Sequence, residues 1–203
     1  MRQLLAYTWT AGIVVWATLA SAASPLDPVQ AVNQAIATRN VALFQRVVDT
    51  GALSRHVLDG VARQLASQPP QAQTEPLALF VAKLVEGDGA VRQVLAEEGM
   101  QFLIWGVASG AFAGQPREKL PEGGLLAAVL AQVSPGRKEL RPVQIVEEEK
   151  GSAVVEADLV DHGTQSVYPL ALRVVQGSDG WQIRHVLNVE ALVARIRAET
   201  MRQ

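Results

Sequence analysis

The sequence contains no cysteine, so no disulfide can staple the chain and no lipid-modified cysteine can anchor it; stability must come from burial alone. It also lacks any concentration of positive charge. Its 18 Lys and Arg are scattered among 20 Asp and Glu, with a formal net charge of -2. That distribution leaves no electrostatic footprint for a polyanion and excludes nucleic acid as a partner. The three histidines, His56, His162 and His185, stand far apart without a carboxylate at ligand spacing, so no metal site is expected. No nucleophile motif or glycine-rich phosphate loop occurs, and no cofactor is implied.

What the chain does have is apolar material: 49% of its 203 residues are hydrophobic and 19% are charged, far from the regime of disorder. Arg2 followed by an apolar stretch over 4–19 and by Ala20-Ser21-Ala22 reads as a secretory signal peptide over residues 1–22. Tyr7, Thr8 and Thr10 interrupt the run, which falls short of the roughly 20 apolar residues of a membrane span. Retention as an uncleaved anchor is the alternative. With cleavage, residues 23–203 form a single α+β domain with no membrane span, and export without cysteine suits a bacterial periplasm.

Residues 27–133 have helical periodicity. Asp27-Pro28 is read as an N-cap followed by a first-turn proline, with Val29, Val32 and Ile36 on one face. Asn40 caps a second helix that turns Val41, Phe44, Val47 and Val48 inward, Thr50-Gly51 is a break, and a third helix covers 54–66. Gln68-Pro69-Pro70 opens a polar linker, a helix over 76–85 carries Phe80, and a last short one spans 125–133. Between these, residues 100–114 carry no charge. Gly106, Gly110 and Gly114 recur there at intervals of four, which on one helix makes a stripe for close backbone approach. Such a helix is buried on all sides or forms a homodimer contact.

Residues 140–187 read as a four-stranded antiparallel meander and 188–202 as a terminal helix capped by Asn188. Val143 and Ile145 mark the first strand, which closes at Lys150-Gly151. One face then collects Val155, Leu172, Trp181, Ile183 and His185, the other Glu156, Asp158, Arg173 and Arg184 as cross-strand charge pairs. Pro169 cannot donate to a ladder and predicts a bulge or bend. His56 is read as solvent-facing, and Glu147-Glu148-Glu149 as a charged strand end protecting an edge.

Helices followed by a curved meander ending in Gly180-Trp181-Gln182-Ile183, with the opening Ala35-Ile36-Ala37-Thr38-Arg39-Asn40-Val41-Ala42-Leu43-Phe44, resemble the nuclear-transport-factor-2-like, or cystatin-like, α+β superfamily. Within it the chain is similar to exported bacterial proteins carrying a domain of unknown function. The resemblance implies a cone that binds a small apolar ligand, hosts an isomerase or dehydratase site, or is filled with side chains; fold alone does not choose. Phe44, Phe80, Tyr168, Trp181 and His185 are the candidate lining. His185 is the candidate catalytic base, though it stands alone, so a binding or interaction module is favoured over an enzyme. The partners expected are a small apolar ligand or an envelope protein.

Overall fold

The computed structural model describes residues 24–67, 89–115, 124, 126 and 134–200. The leader over 1–22, the linker from Gln68, the helix over 76–85 with Phe80 and nearly all of the helix over 125–133 lie outside the described residues. Helices α1 (Asp27–Thr38), α2 (Val41–Val47), α3 (Thr50–Ala66) and α4 (Gly89–Ala108) come first, with a short 3-10 turn at Ala111–Ala113. Strands β1 (Lys138–Glu149), β2 (Ser152–Asp161), β3 (Ser166–Gly177) and β4 (Gly180–Val186) follow, then α5 (Val189–Thr200). The fold is α+β, an open curved antiparallel sheet in the order β1-β2-β3-β4 with helices before and after it.

Local chemistry explains the helix ends, with two departures from expectation. Asp27 does not cap α1; it lies in the first turn, and its Oδ2 accepts the Ser24 N–H at 2.7 Å. Arg39 ends that helix in the left-handed region at φ 53°. Asn40 caps α2 as expected, accepting from the Leu43 N–H at 2.9 Å. Thr50-Gly51 is not a break but the first turn of α3, because Asp49 Oδ1 accepts the Ala52 N–H at 2.9 Å and serves as the cap.

Alternation places one face of the sheet against the helices. Trp181 and Leu172 lie on that same inner face, buried with Val155 and Val174 against Val32 and Phe44. A second, smaller core of Leu58, Leu95, Ala96 and Leu126 joins α3 to α4. Helix α3 also approaches α5 closely at Gly60, where a Cβ would stand 2.7 Å from Val189 Cβ.

The ladder breaks where the sequence did not suggest. Two register shifts in β1, at Val143 and Val146, leave those valines 55% and 56% exposed, so Val143 does not share a buried face with Ile145. At Pro169 the ladder runs on without a shift. The proline's missing donor points away from β2, past the end of β4, where Asn188 supplies the partner groups: its Nδ2 donates to Pro169 O at 2.8 Å and its Oδ1 accepts the Ala171 N–H at 3.0 Å. The Asn188 side chain therefore completes β3 rather than capping α5.

The third irregularity decides which side chains face the helices. Val174 pairs with Ile183, but Arg173 pairs with His185, one residue later than a regular ladder gives. Paired residues share a face, so His185 sits with Arg173 on the outer side and Val186 takes the inner position. The expected alignment of His185 with Trp181 is thus corrected by one extra residue.

The glycine stripe is corrected as well. Helix α4 stops at Ala108, and Gly110 and Gly114 lie beyond it with φ of 76° and 78°, a conformation that favours glycine. Gly106 is covered by the Phe112 ring of the same chain, which folds back across the helix. The three glycines share no helical stripe. Nor is α4 buried on all sides: Phe102, Ile104 and Trp105 are half-buried.

Candidate functional site

Between the inner face of the sheet and helices α1, α2, α3 and α4 lies a cavity of about 290 Å³, apolar throughout its wall and partly open to solvent. Phe44 and Leu53 bound it from the N-terminal helices, Leu103 and Phe112 from α4 and the turn after it, and Leu172 and Ile183 from the sheet floor. Leu140, Leu159 and Leu170 complete that floor. The helical layer covers the floor without filling it.

Lys138 and Glu139, at the start of β1, also border the cavity. Lys138 Nζ donates to Asp161 Oδ1 at 2.7 Å, to Ser134 Oγ at 2.6 Å and to Ser134 O at 3.0 Å. Asp161 accepts in addition from Ser134 Oγ and from the Gly163 N–H at 2.8 Å. Burial pushes the Asp161 carboxyl up, but the bonds from Lys138, Ser134 and Gly163 outweigh it and hold the group below the ordinary aspartate range. A serine beside a lysine can be a nucleophile and its base. Here the ammonium is engaged by a buried carboxylate and the hydroxyl donates to that carboxylate, so the group is a lock between the hairpin end and the chain before β1.

Glu139 turns to the other face. Hydrogen bonds from Arg141 and His162, with further attraction from Arg137, lower its carboxyl to about 2. A carboxylate held so low is a poor proton acceptor near neutrality.

The sequence-derived candidates separate. Phe44 lines the cavity, whereas Trp181 is a core residue at the start of β4 outside the wall. Tyr168 lies under α5: its hydroxyl donates to Glu199 at 2.8 Å, and the Arg195 guanidinium stands 5.6 Å from its ring centroid. Burial is the main reason its phenol is shifted up. Phe80 lies outside the described residues.

His185 stands on the outer face beside His56, ring centroids 4.7 Å apart. His56 is half-buried rather than solvent-facing, its Nε2 lying 3.0 Å from Val186 O. Desolvation lowers the His185 pKa, and His56, Arg173 and Arg184 lower it further against the opposing pull of Asp49. The four charged residues expected to pair with one another on this face find other neighbours: Glu156 accepts from the neutral Gln144 amide at 2.7 Å, Asp158 is opposite Arg141, and Arg184 lies 3.4 Å from Asp49.

Lys138, Asp161 and Leu103 were not singled out by sequence, and the first two could be found only once the register of the β1–β2 hairpin was known. Among the described residues no group of three or more His, Asp or Glu could hold a metal ion, and no helix is long and apolar enough to cross a membrane. Comparison with protein-family models gives no match, and comparison with curated proteins gives none either.

Proposed function

We propose that the protein is an exported binding module of the bacterial envelope, built on a nuclear-transport-factor-2-like scaffold, that takes a small apolar molecule between its helices and its sheet. The observation that carries this reading is the apolar cavity of about 290 Å³. It is about twice the roughly 150 Å³ that suffices for benzene, so a bicyclic ring system or a short hydrocarbon chain fits. Apolar wall left facing solvent costs roughly 25 cal/mol per Å². Occupancy by a ligand removes that cost. The pattern of residues 1–22 supports export.

Catalysis is the weaker reading. Among the described residues the ionisable ones bordering the cavity are Lys138 and Glu139, and the Glu139 carboxylate turns to the other face. The first is locked to Asp161 and the second is held near 2, so neither is poised for proton transfer near neutral pH. Native mass spectrometry of the protein purified without organic solvent, followed by titration with the neutral fluorophore N-phenyl-1-naphthylamine, tests the binding reading. A retained small molecule or saturable one-site fluorescence supports it. A clean apo mass together with linear, unsaturable fluorescence overturns it.

A further inference from the structure

We propose that the outer face of β3 and β4 carries an oxyanion site, centred on His185 and built with Arg173, Arg184 and His56, that takes a phosphate- or sulfate-type group. It lies on the side of the sheet opposite the apolar cavity and does not depend on what that cavity binds.

The geometry comes from the irregularity in β4. A regular ladder would set one arginine, Arg184, opposite Arg173 and turn His185 inward; the extra residue brings His185 opposite Arg173 with Arg184 adjacent. Helix α3 then delivers His56 against His185, ring centroids 4.7 Å apart. Four nitrogen-rich side chains from β3, β4 and α3 thus gather on one patch, and the largest charge effects on His185 come from His56, Arg173 and Arg184, opposed by the Asp49 carboxylate.

That carboxylate is already divided. Asp49 Oδ1 caps α3, and its Oδ2 lies 3.4 Å from Arg184 Nε, at an angle that leaves Nε buried without a hydrogen bond. Arg173 has no carboxylate partner among the described residues, and its opposite neighbour on β2 is Val154. From α5, Glu190 faces His56, but it accepts from Arg63 at 2.8 Å. Unspent guanidinium donors beside imidazoles are the donor set that recognises a tetrahedral oxyanion. An anion placed there supplies the compensation Asp49 alone does not, and it favours the protonated form of His185. Affinity should therefore rise as pH falls.

Sulfate is the probe, because it stays a dianion across the range; the full chain is titrated with it against sodium chloride at matched ionic strength, following the His185 ring resonances and the binding heat. The expected result is saturable binding that strengthens about tenfold between about pH 7.5 and about pH 5.5. Arg173→Ala should weaken it about tenfold, and His185→Gln should remove most of the pH dependence. Both side chains are on the outer face, so near-native circular dichroism is expected of the variants. Inorganic phosphate and vesicles of equal parts phosphatidylglycerol and phosphatidylcholine separate the sources: a free oxyanion binds without vesicles, while a headgroup ligand shows as cosedimentation that Arg173→Ala abolishes. Sulfate acting no differently from chloride, or folded Arg173→Ala binding as tightly as the wild type, overturns the proposal.

Discussion

Asn33 of α1 grips Leu140 of β1 through both halves of one amide: Oδ1 accepts the Leu140 N–H at 2.8 Å, and Nδ2 donates to the Leu140 carbonyl at 2.6 Å. A carboxamide has the donor and acceptor of a peptide group, so Asn33 stands in for a missing neighbour strand on the free edge of the sheet. Asn188 does the same for β3, at Pro169 and Ala171. Asn33→Ala should lower stability by about 1 to 3 kcal/mol and speed hydrogen exchange of the Leu140 amide. Asn33→Asp should do no better, since its carboxylate meets the Leu140 carbonyl. Urea unfolding and exchange measured by NMR check both, and unchanged Leu140 exchange in Asn33→Ala would refute the role.

The Lys138–Asp161 pair is nearly buried, with side chains 12% and 11% exposed. Breaking such a pair strands one charge, so Lys138→Met or Asp161→Asn should each cost roughly 3 kcal/mol or more. The double variant Lys138→Met/Asp161→Asn should recover much of that loss, and chemical denaturation of the three variants measures the coupling.

Packing at Gly106 gives a sharper test, because the Phe112 ring occupies the space a Cβ would need. Gly106→Ala should destabilise by about 1 to 3 kcal/mol despite alanine's better helix propensity. Adding Phe112→Leu should restore part of it. A stabilised Gly106→Ala would mean the ring does not rest there.

The cavity should respond to filling. Leu103→Trp projects bulk from α4 into it, so the variant should lose saturable N-phenyl-1-naphthylamine binding. If instead its affinity matches the wild type, the probe occupies another place.

Acid should destabilise the protein in two separate windows. The folded-state pKa of His185 lies below its ordinary 6.5, so the unfolded chain binds more protons there and stability falls as pH drops through about 6.5. Glu139, lowered from 4.5 to about 2, and Asp161, also lowered, contribute stability that is present above their unfolded values and lost at still lower pH. Thermal melts in low-anion buffer should show both, and His185→Gln should remove the upper window alone.

Much of the fold was legible because its signals are local. Alternation in 153–159 and 168–174 and the Lys150-Gly151 turn fixed the strand faces, and Asn40 announced α2. What failed was register. Counted back from its turn, an unbulged hairpin sets Lys138 opposite Gly163; the two extra residues at Val143 and Val146 set it opposite Asp161 instead. Neither valine signals a bulge by type, since both are good strand formers. Similarly, Pro169 looked like a defect because its missing donor was visible in sequence, while the Asn188 amide that makes it harmless lies 19 residues away. The glycines at 106, 110 and 114 have helical spacing, but spacing alone does not reveal that a phenylalanine folds back onto the first and that the helix stops before the other two.

The single additional residue in β4 acts as a parity switch for the end of the sheet. Were Arg184 paired as an ordinary rung instead of standing as the extra residue, an imidazole would turn toward the hydrocarbon chamber and Val186 would be handed to water. The boundary between the apolar and the polar compartments of this molecule is therefore drawn by the count of residues in one strand, and only secondarily by their kind.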